Sequence, residues 1–533
     1  MKSMIRIQDK SGRTRQLSVD EALAEASRNV SAGDYGNALL ILEKAVRAAP
    51  FDKRARHLLG ECQAKTGSLD QALYNLRKVV EADPNNAAFR ASLAQALMPV
   101  NPTEAVPHFL AAIALGSTSI HVFGYLTSIL LDLRKAEDAL KVCDLGLAAC
   151  PERSAMLGAR AVVLRHLSRY EEALDCCVKQ RELKPDDARA WCNLGVTLMA
   201  LRRVEEAEQA LRQSCHLDPH YGEAHYNLAL ALMLRGEYRE GLSEYEWRWQ
   251  TPFAQDQRSS FVQPLWDGRF LDGKRIFLHA EQGIGDTIQF VRYLPLVAQR
   301  GGRIVLAVPP CLVRLMSWLV GSYEVNPPGL PAGGFDTHCP LMSLPLLCGT
   351  EVESIPAPAS FVIPTDLQAV WAHRVAGGKP KVGLVWAGNP NHLRNRERSL
   401  ALRAFLPFLS LPDIDFFSLQ MGPPGEEMKN AGLSERIRDL APFLSDFAET
   451  AAALSSMDLL ISVDTAVAHL AGTLGKPVWT FIPFAPDWRW LLSREDSPWY
   501  PSMRLFRQQA QGDWEAVIDE VARALQIWVQ ARA

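Results

Sequence analysis

No run of about 20 uninterrupted apolar residues occurs in this 533-residue chain, so no membrane-spanning helix is expected. No two cysteines have the CxxC spacing, and two of the ten, Cys176 and Cys177, are adjacent, which suits neither a zinc knuckle nor an ordinary disulfide. The start, MKSMIRIQDKSGRTRQ, lacks the apolar core of a signal peptide. Reduced thiols and a cytoplasmic location are the expectation. An excess of one charge is also missing. The formal net charge is −3, so no overall basic field draws nucleic acid or acidic lipid. What remains is ordinary for a folded chain: 48% hydrophobic and 22% charged residues, at a length that predicts two to four domains.

The first half repeats. Ala38, Ala72, Ala105, Ala139, Ala173 and Ala207 follow one another at steps of 34 residues, with one step of 33, and Gly241 continues the series. A second ladder, Gly60, Ala94, Thr127, Ala161, Gly195 and Ala229, has the same spacing and the same single 33. Pro50, Pro84, Pro151, Pro185 and Pro219 close the units. Tyr35, Leu69, Tyr170, Val204 and Tyr238 each precede a ladder residue by three and wedge between neighbours. Period and pattern are those of tetratricopeptide repeats, in which small residues recur where paired helices approach closely. About seven helix pairs are expected between residues 18 and 249, with a shortened loop near Pro102 for the 33-residue step. Such an array needs caps, and Trp247 and Trp249 are expected to seal its end against the next domain. Asn193 and Asn227, 34 apart, suit a groove that holds an extended peptide through its backbone. Solvated helix surface is the competing reading of both.

After Trp249 the pattern changes. Residues 251–272 read as a linker. RIFLHA, RIVLAV and FDTHCPL then predict strands of one sheet, and KVGLVWA, IDFFSLQ, LLISV and PVWTFI strands of another. Helix-like stretches lie around 286–299, 311–320, 402–409, 447–456 and 466–475. Alternation of this kind predicts parallel sheets covered on both faces. The expected domains are a repeat array over 1–250, a Rossmann-like acceptor-side domain over 273–375, and a Rossmann-like donor-binding domain over 376–533 with a closing C-terminal helix. Ligands bind where strand ends meet the cleft between two such domains.

Polar groups gather at those strand ends. In HAEQGIGDTIQF, Gly283 and Gly285 let backbone come close to a bound group, and Asp286 opens the next helix, as a cap or as a functional carboxylate. In LLISVDTAVAHLAGTLGKPV, free N–H groups at the helix start suit a phosphate, with Asp464, Thr465 and His469 beside it. WAGNPNHLRNRERSL brings Asn389, Arg398 and Ser399 into a loop that suits a pyrophosphate. Gln420 ends another strand, where a ribose or base is gripped. The lone Asp-x-Asp, DID at 413–415, lies at a strand start and reads as an element cap, so no metal site is expected.

In this order the motifs resemble the heptosyltransferase-like glycosyltransferases of the two-Rossmann GT-B fold, over about residues 273–510. GIGDTIQFVRYLP looks like that family's first loop, which implies that Asp286 is the base acting on the acceptor. His338, read at another strand end in FDTHCPL, is the second candidate for that base. SVDTAVAHLAGTLGKPV resembles the donor-binding motif, which implies donor phosphate contacts at Asp464, Thr465 and His469. Arg398 and Ser399 match the basic position that meets the diphosphate, although that family carries lysine there. With the repeats, the chain is similar to bacterial repeat-containing glycosyltransferases, including those that modify flagellin, and to the O-linked N-acetylglucosamine transferase architecture. The resemblance implies metal-independent sugar transfer from a nucleotide-sugar, without a cofactor, to Ser or Thr of a protein held by the array, flagellin among the candidates. Two alternatives stay open: a transferase for a cell-surface polysaccharide or lipid, and a non-catalytic scaffold with a vestigial nucleotide-sugar cleft.

Overall fold

Small residues decide the first half of the chain. In the computed structural model, which describes residues 5–8, 14–150, 153–252, 261–390, 392, 394–433 and 435–532, Ala38, Ala72, Ala105, Ala139, Ala173 and Ala207 are all fully buried. So are Ala94, Ala161 and Ala229 of the second ladder. A side chain at Gly60 would stand 2.7 Å from Leu76 Cγ, and one at Gly241 would stand 2.6 Å from Met233 Cγ. At Gly60 and Gly241 the helices therefore come too close for a larger residue. Tyr35, Leu69, Tyr170, Val204 and Tyr238 are each the first residue of a helix. Helices succeed one another from Val19–Ser31 to Tyr238–Tyr245. Pro151 and residues 253–260 of the expected linker lie outside the described residues.

The 33-residue step has a different origin from the one expected. The helix Ala87–Leu97 has 11 residues where its counterpart Lys53–Lys65 has 13. Pro99 stops it early, because proline has no N–H to donate and its ring clashes with the carbonyl four residues back. The connection that follows is not the part that shrinks. At the amino end, β1 (Ile5–Gln8) and β2 (Thr14–Leu17) form an antiparallel hairpin. Ile5 and Leu17 of this hairpin are buried with Ala22, Ala26 and Leu42, so it covers the open side of the first helix pair. The polar residues of the hairpin gave no strand signal.

The chain divides into two compact units, Met1–Thr197 and Leu198–Ala533. The second unit holds the last repeat helices together with two all-parallel sheets. The first sheet has the order β5 (Glu324–Asn326), β4 (Arg303–Ala307), β3 (Arg275–His279), β6 (Thr337–Pro340). The second runs β12 (Met503–Arg507), β11 (Val478–Ile482), β10 (Leu459–Val463), β7 (Lys381–Val385), β8 (Asp415–Ser418), β9 (Ile437–Asp439). All seven expected strands are present. β5, β9 and β12 add edges. Strands buried on both faces read as apolar runs, as parallel sheets require: every residue of β10 and β11 is buried. The last helix, Trp514–Gln530, lays Val517, Ile518, Val521 and Leu525 into the core of the second sheet, with Phe405, Phe408 and Phe481.

Within the second unit the repeat helices are packed into the α/β region. Tyr238 is fully buried, its hydroxyl accepts a hydrogen bond from Trp499 Nε1 at 3.1 Å, and its ring meets Trp488 edge-on. Tyr245 accepts from Gln282 Nε2 at 2.7 Å. Arg202 donates to the carbonyl of Leu492 at 3.1 Å. The sealing tryptophans are thus not those expected. Trp247 stacks on His225 of its own repeat, with ring centroids 4.0 Å apart, and Trp249 lies beneath the Arg248 guanidinium.

This packing can be tested by substitution and by truncation. Ala139→Leu should cost about 1–3 kcal/mol by overpacking a closed helix contact, whereas Glu137→Leu, on the exposed side of the same helix, should stay within about 0.5 kcal/mol of the parent; urea midpoints of the two variants give the comparison. Removing residues 1–250 should cost the remainder its cooperative thermal transition, because Trp488, Trp499 and Gln282 lose their partners, whereas a chain starting at residue 187 should keep it.

Candidate functional site

Gly283 is extended, and its N–H donates to Asp286 Oδ2 at 2.8 Å. Asp286 thus caps the helix Ile284–Phe290 by reaching back to the residue before it. Its other oxygen is left for a different partner. Arg489 Nη2 donates to Oδ1 at 2.5 Å. Gly285 matters for another reason. A side chain there would stand 2.9 Å from His469 Cδ2 and 3.5 Å from the Ala466 Cα. The missing side chain lets the first helix of the first sheet rest on the helix Ala466–Thr473 of the second. Two motifs about 180 residues apart in sequence therefore meet side by side.

Arg489 is the hub of the meeting. It sits in the turn after β11. Nε donates to Gln289 Oε1 at 2.7 Å, and Nη1 to Asp487 Oδ1 at 2.9 Å. The residue is 7% exposed. Charge-assisted bonds of this kind are about twice as strong as neutral ones. Asp487 is held below the ordinary carboxylate range by Arg489, against the cost of its burial.

On the second sheet, β10 ends in Asp464 and Thr465. Thr465 is extended and precedes the helix start, and its hydroxyl pairs with Ser462 Oγ at 3.1 Å. Burial pushes the Asp464 carboxyl up, opposed by the nearby Arg398 guanidinium. His469 Nδ1 meets the Tyr500 hydroxyl at 2.9 Å, and Nε2 lies 3.9 Å from Asp464 Oδ1. Burial, with Arg489 adding to it, lowers the His469 pKa to about 3, so this ring is neutral near pH 7. Arg398 lies across Gly388, where a side chain would come within 3.1 Å of its Nη2. Its Nε is buried without a hydrogen-bond partner.

Other predicted residues are engaged in holding the loops. Ser399 Oγ accepts from the Gly388 N–H at 3.0 Å and donates to Asn395 Oδ1 at 2.9 Å. Gln420 Oε1 accepts from the N–H groups of Trp386 and Ala387 at 3.0 and 2.8 Å, and Nε2 donates to the Met421 carbonyl. Its amide closes the end of β7 instead of facing a ribose. Asn389 is exposed, and its carbonyl fixes the loop through the His392 N–H at 3.0 Å. His338 is not at a strand end: it pairs with Phe277 inside the sheet and meets His279 Nε2 at 3.3 Å. Phe261, Phe277 and Phe335 complete that cluster, so His338 is not gathered with Asp286. In the array, Asn193 Nδ2 donates to Gln180 Oε1 at 3.2 Å, and Asn227 Nδ2 to the Glu223 carbonyl at 2.7 Å. Among the described residues no three His, Cys, Asp or Glu side chains gather as metal ligands, and no helix is long and apolar enough to cross a membrane.

Residues 29–96 and 188–221 match tetratricopeptide-repeat models, and residues 426–482 match glycosyltransferase family 9 (heptosyltransferase). The chain thus joins tetratricopeptide repeats to a segment similar to glycosyltransferase family 9. That segment runs from the turn before β9 to the end of β11 and contains Asp464, Thr465 and His469. Protein FlbA of Caulobacter vibrioides is 28% identical over 316 residues, 54% of this chain and 52% of that protein, so the match spans about half of the relative's length. Among solved structures, a tetratricopeptide repeat protein from Parabacteroides merdae is 13% identical, with 45% of this chain and 94% of that chain covered, at a TM-score of 0.39. PilF of Pseudomonas aeruginosa is 19% identical, with 37% and 90% covered, at a TM-score of 0.32.

Sequence reasoning missed a buried ion network beside the candidate site. Arg248 is 2% exposed. It donates to Glu246 Oε1 at 2.6 Å, to Ser343 Oγ at 2.8 Å and to Glu281 Oε1 at 3.2 Å. Glu281, five residues before Asp286, also accepts from the Met342 N–H at 3.2 Å. No local sequence signal marks this glutamate as buried. Burial raises its pKa to about 7, while burial and neighbouring cations lower that of His279 to about 4. The signs oppose. His279 and His469 take up a proton in the unfolded chain but not in the fold, so they remove stability as pH falls below about 6.5. Glu281 holds a proton in the fold from about pH 4.5 to 7, so it adds stability as pH falls through that window. Glu281→Gln should therefore steepen the acid loss by about one proton, or about 1.4 kcal/mol per pH unit between pH 5 and 6. Urea titrations at several pH values test this; parallel curves for the two proteins would remove Glu281 from the linkage.

Proposed function

We propose that the chain is a GT-B glycosyltransferase that moves a sugar from a nucleotide-sugar to a Ser or Thr hydroxyl of a protein recruited by its repeats. The observation that carries the reading is the packing of Gly285 on Ala466 and His469. It sets the candidate base and the family 9 motif against each other, as a transfer between two substrates requires. In this reading Asp286 takes the proton of the acceptor hydroxyl as its oxygen bonds to the sugar's anomeric carbon. The bond from that carbon to the phosphate oxygen breaks, and the nucleotide diphosphate leaves with the electron pair. Its developing charge meets Arg398, whose Nε has no protein partner, and the N–H groups that open the helix Ala466–Thr473. Neutral His469 serves as a hydrogen-bonding group there and not as a cation. No metal ion is needed for this route. Flagellin is the first acceptor to test, because the motifs together with the repeats resemble those of flagellin-modifying transferases.

The test incubates the full chain with UDP-, GDP-, ADP- and CMP-sugars and with flagellin, total protein and total lipid of the host, followed by intact mass and peptide mapping. A sugar-sized gain on a protein is expected. Label in the lipid fraction alone would move the acceptor to a glycolipid, and no nucleotide release from any donor would leave a scaffold. Asp286→Asn should lower transfer by about 100-fold or more, the scale of a lost general base, with donor affinity unchanged. Arg398→Gln should weaken the donor instead.

A further inference from the structure

Arg489 makes a larger set of bonds than a donor-lining arginine would. All three of its nitrogens are directed at protein: Nε at Gln289, Nη1 at Asp487, Nη2 at Asp286. Asp487 fixes it twice, since the same Oδ1 that meets Nη1 also accepts from the Arg489 N–H at 3.0 Å. The guanidinium lies over the Trp488 ring, 4.4 Å from its centroid. Asp487 and Trp488 belong to the loop after β11 of the second sheet. Asp286 and Gln289 belong to the helix that follows β3 of the first. Gln289 is fully buried, so Arg489 reaches into the base of that helix and not across its surface.

We propose that Arg489 is a positioning residue for Asp286: the donor-side sheet holds the carboxylate of the acceptor-side sheet in place. This rests on the reading of Asp286 as base. It goes beyond that reading by making the direction of the base depend on a side chain from the other half of the unit. With Oδ2 on the Gly283 N–H and Oδ1 on Arg489, both oxygens have fixed directions. Loss of the guanidinium leaves the capping bond, which permits rotation of the carboxylate about the side chain. Misplacement of a reacting group by about 1 Å costs on the order of 100-fold in rate.

The test uses full-length Arg489→Gln, Arg489→Lys, Asp286→Asn and the double variant Asp286→Asn/Arg489→Gln. Calorimetry measures binding of free UDP, GDP, ADP and CMP. Turnover is read as nucleotide release from the corresponding nucleotide-sugars. For Arg489→Gln, nucleotide affinity should stay within about threefold of the parent, while turnover falls by about 100-fold. Arg489→Lys, whose single ammonium cannot serve three partners, should fall in between. The double variant should be no slower than Asp286→Asn, because a residue that acts through Asp286 has nothing left to act on. In a further variant, Arg489→Gly, guanidinium ion at millimolar concentration should restore part of the turnover, and it should restore none of that of Asp286→Asn. Losses that multiply in the double variant, or nucleotide affinity that falls in step with turnover, would overturn the proposal and make Arg489 a donor ligand. Full turnover by Asp286→Asn alone would instead remove the base reading itself.

Discussion

Everything at the candidate site depends on how closely two helices approach. The helix Ile284–Phe290 leaves the first sheet, and the helix Ala466–Thr473 leaves the second. They meet because residue 285 has no side chain and His469 occupies the room this leaves. The fit is rigid on both sides. His469 is held by the Tyr500 hydroxyl and stacked on Trp490. Tyr500 is itself lodged against Gly472, where a side chain would stand 2.7 Å from its Cγ. On the other side, Arg292 donates to the Trp499 carbonyl at 2.8 Å and lies over the rings of Trp499 and Tyr500. Only with the helices in this register does Arg489 reach Asp286. A glycine and a neutral histidine thus set the geometry in which the charges act.

The last repeats belong to the same arrangement. A solenoid is stabilised through its neighbours, so its terminal repeat must be covered by something. Here the cover is the α/β region, and the exchange runs both ways. Tyr238 and Tyr245 supply buried hydroxyls to Trp499 and Gln282, and Arg248 supplies the cation that Glu281 needs. Removing one member of a buried ion pair costs about 3–5 kcal/mol. Gln282 and Glu281 are the residues just before Gly283. The repeat that ends the array therefore anchors the loop that carries Asp286.

Much of the fold was legible in the sequence, for reasons that can be stated. A ladder of alanines and glycines at a fixed period reports a steric limit, and every repeat meets the same limit. The inner strands LLISV and VWTFI were legible because strands buried on both faces are apolar nearly throughout. β5, β9 and β12 were not: EVN and IRD are edge strands of three residues that bury little, and the arginines of MRLFR in β12 interrupt its apolar run. At the site, the motifs around Asp286 and Asp464 were legible because a strand end followed by a helix start has a local signature. Their partners were not. Arg489, in PFAPDWRWLLSREDSPWYP, reads as a residue lining the cleft beside the donor; it lies about 200 residues from Asp286, and nothing near either residue records their pairing. Gln420 misled in the opposite way: a polar side chain at a strand end reads as available, yet its amide closes the N–H groups that the end of β7 leaves open. Arg248 and Glu281 carry no local sign of burial either, since they pair with each other from two elements far apart in sequence.

The charges at the site look unfavourable for an anion until each is followed to its partner. Asp286, Asp464 and Asp487 stand against two guanidiniums, those of Arg398 and Arg489. Asp286 and Asp487 are both in contact with Arg489, on the side of the first sheet's helix. Asp464 is the acid at the helix start where a diphosphate is proposed to sit, and a carboxylate there would repel it. Burial pushes Asp464 toward its neutral form, against the pull of Arg398. A neutral carboxyl has a hydrogen to donate and no charge to repel. In the proposed route a diphosphate arriving at this helix start would meet Arg398 beside a carboxyl whose charge burial already opposes. Arg489 thus holds Asp487 to its charge, whereas burial pushes Asp464 the other way.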